Sequence, residues 1–141
     1  MIDPVLLAAY RATDYDVRLP GGQRCRLKVD QAPPEPFRRW LGDAGFAFIT
    51  AHNPGSVPLP AMQNRLHQHA LLADLRQAGA RVLAGVGRLA TMGWREPSLV
   101  AAGLTLEHID GLARRYGQNA VVTGHADLPL QLRLYTDPTG P

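Results

Sequence analysis

The chain has 141 residues, of which 45% are apolar and 19% are charged, and it contains one cysteine, Cys25. This length suits one domain with its own core, and a lone cysteine excludes an internally disulfide-bonded secreted scaffold and favours the cytoplasm. The formal net charge is +3 at pH 7, and no apolar run approaches the roughly 20 residues that cross a membrane. We therefore expect a single cytoplasmic domain over residues 1–141, basic overall and without a membrane segment.

The N-terminal part of the chain predicts a short helix followed by a β-hairpin. Asp3 followed by Pro4 is typical of a helix start. Apolar and polar residues alternate in two segments that a Pro-Gly-Gly-Gln turn joins, as they do in a hairpin with one solvent-facing side. The predicted elements are a helix at 5–11, strands at 15–19 and 24–29, and one or two helical turns at 37–41 after a proline-rich connector.

From residue 46 onwards the pattern predicts longer elements. The run 46–51 is apolar and bounded by turn signals, which favours a buried strand. A long helix begins at Pro60 and ends at Gly79, and Thr105 caps a second helix that ends at Gly117. The predicted strands are 46–51, 81–86, 98–102, 119–123 and 130–135, the helices are 60–78 and 105–116, and the tail 137–141 is expected to be disordered.

The order of these elements predicts an α+β fold. The order β-α-β-β-α-β is that of a ferredoxin-like sandwich, here with a core at about 46–124, extended by the N-terminal hairpin and the C-terminal strand. Both long helices need a stripe that faces the sheet, so we expect Leu71, Leu75, Ile109 and Leu112 to be buried. Right-handed crossovers then bring the loops 52–60, 88–97 and 117–119 to one pole of the domain.

The unusual polar residues of the sequence cluster at this pole. Asn53 and Ser56 precede a helix N-terminus, whose backbone N–H groups suit an anion or a carbonyl oxygen. Trp94 offers a flat apolar wall, and Glu96 offers a carboxylate for acid–base chemistry or ligand anchoring. The predicted site consists of Glu96 as the catalytic candidate and of Asn53, Ser56, Asn64, Arg65, Trp94, Ser98, Gln118 and Asn119 as ligand-binding candidates.

Structural interpretations of the same residues stay open. Asn53 is also an ordinary turn former, and Asn64 could instead satisfy the backbone of the loop. Glu96 could form a surface ion pair with Arg95, Arg88 or Arg65. The sequence predicts neither a metal site nor a cofactor, because no cluster of Cys, His and Asp residues and no phosphate-binding motif in its proper context is found.

Four short segments together resemble a known family. They read T-A-H-N-P-G-S from Thr50, N-R from Asn64, W-R-E-P-S from Trp94 and G-Q-N-A from Gly117. They are similar to a small bacterial family, catalogued as a domain of unknown function, with the pattern TA-x-NP-x-S … N-R … W-x-E-x-S … G-Q-x-A. The resemblance covers about 46–122, with His52 in the place of an aromatic residue. It implies a motif set that coincides with the predicted pole, and it implies no reaction.

Three functions are compatible with the sequence. The first is the binding of a polar, nucleotide-like or anionic small molecule at the pole formed by loops 52–60, 88–97 and 117–119, with or without catalysis. The alternative is a non-catalytic regulatory or protein-interaction module whose polar residues only brace the loops. The third is nucleic-acid binding through arginines; it comes last because the arginines are scattered along the sequence and stacking aromatic residues are missing. The sequence does not predict an oligomeric state.

Overall fold

A computed structural model of the protein describes residues 3–135, and it confirms the α+β class. The predicted tail at 137–141 lies outside the described residues. Single turns of 3-10 helix occur at Pro54–Ser56 and Ala90–Met92. The helices are α1 (Pro4–Ala12), α2 (Glu35–Leu41), α3 (Ala61–Gln77) and α4 (Leu106–Arg115), and the strands are β1 (Asp14–Arg18), β2 (Arg24–Leu27), β3 (Gly45–Ile49), β4 (Arg81–Leu89), β5 (Trp94–Ala102), β6 (Ala120–His125) and β7 (Gln131–Leu134).

The seven strands form one sheet in the order β2-β1-β4-β5-β3-β6-β7, and all neighbouring strands are antiparallel. β3 and β4 both lie against β5, so they run in the same direction, as the sequence predicts. The hairpin β1–β2 extends the sheet beside β4, and β7 extends it beside β6. Asp3 caps α1 by accepting a hydrogen bond from the Val5 N–H at 2.8 Å.

The sheet curls so that its two outer strands approach each other. Val29 and Leu130 form a parallel bridge just beyond β2 and just before β7. The Asp30 N–H donates to the Leu130 carbonyl at 2.8 Å, and the Leu130 N–H donates to the Gln31 carbonyl at 2.9 Å. The concave side of the curl holds one hydrophobic core, into which α2 inserts Phe37 and Leu41.

Helices α3 and α4 cover the convex side of the sheet and form a second core with it. The predicted burial of the helical stripes is confirmed: Leu71 and Leu75 of α3 and Ile109 and Leu112 of α4 are all buried. The Tyr116 hydroxyl at the end of α4 also donates a hydrogen bond to the Asp74 carboxylate of α3. Both helices therefore lie on one face, which leaves the concave face to α1 and α2.

The prediction of a loop at 88–97 is wrong, because most of this segment is strand. β4 continues to Leu89 and β5 begins at Trp94, and the turn between them ends at Gly93, which has a φ of 62°. In the sequence, the turn-forming glycines and Pro97 suggest a loop. In the structure, β3 ends at Ile49, which lies opposite Leu99, so β3 does not reach the residues of β5 that precede Leu99. The early part of β5 therefore has an unpaired edge, where a residue without an N–H is tolerated. The hairpin extends beyond β3 and becomes a wall beside the loop 52–60.

Candidate functional site

A cavity of about 220 Å³ lies on the concave side of the sheet, beside this extended hairpin. The hairpin, the loop after β3, the turn before β6 and helix α1 contribute to its wall. The apolar part of the wall comprises Leu6, Tyr10, Tyr15, Phe48, Trp94, Val122 and Leu132. The polar part comprises Thr50, His52, Asn53, Ser56, Glu96, Ser98 and Gln118. Most of these residues are far apart in sequence, so the topology of the sheet creates the cavity.

The structure brings six of the nine predicted site residues to this cavity, namely Asn53, Ser56, Trp94, Glu96, Ser98 and Gln118. The other three do not line it. Arg65 is exposed on α3, Asn64 is buried behind the loop, and Asn119 lies beside Ser56. Whether the lining residues bind a ligand stays a prediction.

Asn64 braces the loop after β3 from the first turn of α3. Its side-chain oxygen accepts a hydrogen bond from the Asn53 N–H at 2.9 Å, and its Nδ2 donates to Asn53 Oδ1 at 2.7 Å. Asn53 Oδ1 also accepts from the Leu59 N–H at 3.0 Å. The two asparagine side chains thus replace the secondary-structure partners that the loop lacks, which matches the structural interpretation of Asn64 and Asn53.

The loop is also held against the turn that precedes β6. Asn53, Gly55 and Ser56 all have positive φ angles, and the Gly55 N–H donates to the Gly117 carbonyl at 2.6 Å. Gly117 has a φ of 66°, and a Cβ atom there would lie 2.9 Å from Pro54 Cβ. Positive φ at two non-glycine residues costs about 1–3 kcal/mol each and persists only where the surroundings enforce it.

A short polar chain connects the turn before β6 to helix α1. Asn119 Nδ2 donates to Ser56 Oγ at 2.9 Å, and the Tyr10 hydroxyl lies 3.3 Å from the same oxygen. The Tyr15 hydroxyl donates to the Tyr10 carbonyl at 2.7 Å, which fixes α1 to β1. Asn119 therefore positions Ser56 at the cavity wall instead of facing the cavity itself.

Glu96 is the carboxylate of the cavity. Burial raises its pKa to about 7, and no hydrogen bond or ion pair of its carboxylate is found within residues 3–135. The alternative of a surface ion pair is not supported, because Arg88 pairs with Asp16 at 3.7 Å instead. Burial raises the pKa of the Tyr10 and Tyr15 phenols, and the charge of Glu96 contributes to both shifts, as expected for groups close together.

His52 is a second titratable group of the cavity wall, and its hydrogen bonds define its tautomer. Its Nδ1 lies 3.3 Å from Gln68 Oε1, which also accepts the Ala51 N–H at 2.9 Å. Because that oxygen only accepts, Nδ1 carries the proton and Nε2 of the neutral ring is an acceptor. Burial lowers the pKa of His52, and the bond to Gln68 opposes this shift. The ring is therefore neutral at pH 7.

The sequence did not indicate the contributions of Leu6, Tyr10 and Tyr15. They reach the cavity because β1 pairs with β4, which brings α1 to the mouth of the curled sheet. The alternating pattern of β1 predicts a hairpin strand, but it does not predict the strand's neighbour. Phe48 and Thr50 were also missed, although they follow the same alternation as Phe46 along β3 and point to the same face.

The described residues hold no group of three or more His, Cys, Asp or Glu side chains that could bind a metal ion. Within 3–135, no helix combines the length and the apolar character needed to cross a membrane.

Comparisons with known proteins agree with the resemblance. A search of curated proteins and a search of solved structures found no match. A family model described as "Protein of unknown function (DUF3293)" matches residues 49–121. This region is just over half of the chain and contains all nine predicted site residues, whereas α1 and β1 lie before it. The chain belongs to the DUF3293 family of proteins of unknown function.

Proposed function

We propose that the cavity binds a small polar molecule and that Glu96 is its principal polar contact. One observation carries this proposal: a largely buried carboxylate lines a cavity without a partner among the described residues. Burying an unpaired carboxylate destabilises the fold, so proteins rarely keep one without a use for it. A ligand N–H group that donates to Glu96 would compensate this cost.

The wall of the cavity favours a neutral or cationic planar ligand over an anionic one. The described lining contains no Lys or Arg, so an anion would find no cationic partner there and would be repelled by the like charge of Glu96. Trp94 and Tyr10 supply flat aromatic surfaces, and a planar ring could stack on them. A cavity of about 220 Å³ is small for a ligand pocket, so it favours a single heteroaromatic ring, such as a nucleobase, over a whole nucleotide.

Proton transfer is the reaction that the cavity would support best. Burial raises the pKa of Glu96 to about 7 and lowers the pKa of His52, so a carboxyl group that titrates near neutral pH and a neutral imidazole line the same cavity. Two titratable groups whose environments shift their pKa values are typical of acid–base sites. Nε2 of His52 would accept a proton from the ligand, and Glu96 in its protonated form would donate one. The runner-up is the same site without a reaction, as in a regulatory ligand-binding module.

We also propose that β3 to β6 with α3 and α4 form a ferredoxin-like unit. The strand order β4-β5-β3-β6 and the position of both helices on one face support this assignment. The hairpin β1–β2 and the strand β7 would then be additions, and the curl that they complete encloses the cavity.

A thermal-shift assay at pH 8 tests the ligand proposal. The panel contains adenine, cytosine and nicotinamide together with AMP and CMP, applied to the wild type and to Glu96→Gln. A neutral base should raise the melting temperature of the wild type, because a ligand stabilises the state that it binds. The same compound should shift Glu96→Gln by much less, because the amide lacks the charge that accepts the ligand N–H groups.

Glu107→Gln is the matched control, because Glu107 is an exposed glutamate of α4 outside the cavity lining. It should respond to every compound as the wild type does. Equal shifts in Glu96→Gln and the wild type, or stabilisation by AMP and CMP alone, would show that the site is assigned to the wrong ligand chemistry.

A further inference from the structure

A second surface, independent of the cavity, lies on the opposite side of the sheet. Helices α3 and α4 pack on only part of the convex face. The part of β4 from Ala84 onwards lies outside this packing, and Ala84 itself is exposed. Beyond it, β2, β1, β4 and the early part of β5 form a groove of about 570 Å³. Its arginines are Arg18, Arg24, Arg26, Arg88 and Arg95, and we call this surface the arginine face.

The strand register places these charges on one side. Arg18 lies opposite Arg24, and Arg88 lies opposite Arg95. Asp16 lies opposite Arg26, and because these residues are two positions from Arg18 and Arg24 they project to the same side of the sheet. Residues that face each other across antiparallel strands project to the same side, so residues far apart in sequence share one surface. The scattering of arginines along the sequence therefore conceals a cluster in the fold.

This surface accounts for the net charge of the whole chain. Besides the five arginines it includes Lys28, and its acids are Asp14 and Asp16. The rest of the sequence then contains nine basic and ten acidic residues, out of 15 and 12 in total. The arginine face is strongly positive, while the remainder of the protein is close to neutral.

Three of the arginines have no acidic partner among the residues that the structure describes. Arg26 and Lys28 share the carboxylates of Asp14 and Asp16, and Arg88 lies 3.7 Å from Asp16. No ion pair within residues 3–135 includes the remaining three, Arg18, Arg24 and Arg95. Like charges directly opposite each other destabilise a sheet. The two arginine pairs are thus a cost to the fold that a bound polyanion would remove.

The distance between the two arginine pairs indicates the size of the ligand. Asp14 lies opposite Arg88, and Arg18 follows Asp14 by four residues along β1. At about 3.4 Å per residue and about 4.8 Å per strand, Arg18 and Arg95 are about 17 Å apart. One phosphate cannot reach both pairs, whereas a nucleic-acid duplex, with one phosphate per about 3.4 Å of each strand, presents several over this span.

We propose that the arginine face binds the phosphate backbone of double-stranded nucleic acid without reading its sequence. Among the described residues that line the groove there is no aromatic side chain, so they provide no platform for the stacked bases of a single strand. Guanidinium groups bind phosphate oxygens in a bidentate manner, which suits backbone contacts. The competing interpretation is that the arginine face binds an acidic protein. Competition by polyglutamate against unlabelled duplex distinguishes the two partners.

The test measures the affinity of the full chain for a fluorescein-labelled 20-base-pair DNA duplex as a function of salt. Each arginine that binds a phosphate contributes about 0.9 to the slope of log K against log salt concentration. The variant Arg18→Gln/Arg24→Gln should lower this slope by about 2 and Arg95→Gln by about 1. Together the three substitutions should weaken binding at least about tenfold at 0.1 M salt.

The matched control is Arg39→Gln/Arg65→Gln/Arg76→Gln, which removes the same charge from exposed arginines elsewhere. It should leave the slope within about one of the wild type. The triple variant of the arginine face should also melt no lower than the wild type, because it relieves repulsion. Absence of duplex binding at 50 mM salt, equal losses in both triple variants, a lower melting temperature, or equal competition by polyglutamate and unlabelled duplex would each overturn the proposal.

Discussion

At the scale of single residues, Asn64 stabilises the wall of the cavity without facing it. Asn64 is 7% exposed, and its side chain forms hydrogen bonds with both the backbone N–H group and the side chain of Asn53. Asn64→Ala removes these partners from buried groups, so it should lower the free energy of unfolding by about 1–3 kcal/mol in urea denaturation. Gln63→Ala, at the exposed neighbouring position, should change it by less than about 0.5 kcal/mol. Equal stability of the two variants would show that Asn64 does not brace the loop.

The residue types at the site were predictable, and their roles were not. Polar residues at three turn regions predicted a common pole, and Trp94, Glu96 and Gln118 do share one cavity. Asn64 has the same side-chain chemistry as a ligand-binding asparagine. Only the positions of the Asn53 and Leu59 backbone groups show that it braces the loop. Such partners belong to the folded loop, and no local sequence pattern encodes them.

At the scale of elements, a narrow stripe of apolar side chains on α4 packs into the core on the convex side of the sheet. Ile109 is 2% exposed and packs within the core that α3, α4 and the sheet share. Ile109→Ala should lower the free energy of unfolding by about 2–5 kcal/mol, because it loses transfer energy and leaves a cavity. Leu106→Ala on the same helix is the control, since Leu106 is 50% exposed, and it should cost much less. A loss below about 0.5 kcal/mol for Ile109→Ala would contradict the packing.

The elements whose patterns are local were predicted well, and those that depend on a neighbour were not. The capped helices α1 and α4 and the alternating strands of the hairpin β1–β2 lie close to the predicted positions. The extension of β4 and β5 was missed, because Gly93 and Pro97 are turn and strand-breaking signals in isolation. Pro97 is tolerated because β3 is too short to pair there. That length is a property of the assembled sheet.

At the scale of the whole molecule, the curled sheet separates two carboxylates with opposite effects on stability. Asp110 of α4, on the convex side, accepts hydrogen bonds from Arg133 at 2.6 and 2.7 Å and from the Tyr135 hydroxyl at 2.7 Å. The bond to Arg133 is the main cause that lowers the pKa of Asp110 to about 2. Glu96, on the concave side, has its pKa raised by burial to about 7. The two groups share no partner within the described residues.

The signs of the two shifts predict opposite pH dependences. Asp110 stabilises the fold above its unfolded pKa of about 3.9, and this contribution is lost as the pH falls through its folded pKa of about 2. Glu96 costs nothing below its unfolded pKa of about 4.3, where it is protonated in both states. Its contribution becomes steadily more unfavourable as the pH rises from about 4.3 to its folded pKa of about 7, and it changes little above that pH. These two groups therefore favour maximum stability between about pH 4 and pH 5.

Urea denaturation of Glu96→Gln, Asp110→Asn and the double variant at pH 3, 5 and 8 tests this separation. Glu96→Gln should match the wild type at pH 3 and be more stable at pH 8, because its amide is never ionised. Asp110→Asn should be less stable than the wild type at pH 5 and pH 8, with a smaller difference at pH 3. If the sheet isolates the two groups, the changes should add in the double variant to within about 0.5 kcal/mol at every pH. A larger deviation from additivity would mean that the two faces of the sheet are coupled. If Glu96→Gln raised the free energy of unfolding at pH 3 as much as at pH 8, the effect of this substitution would not be electrostatic.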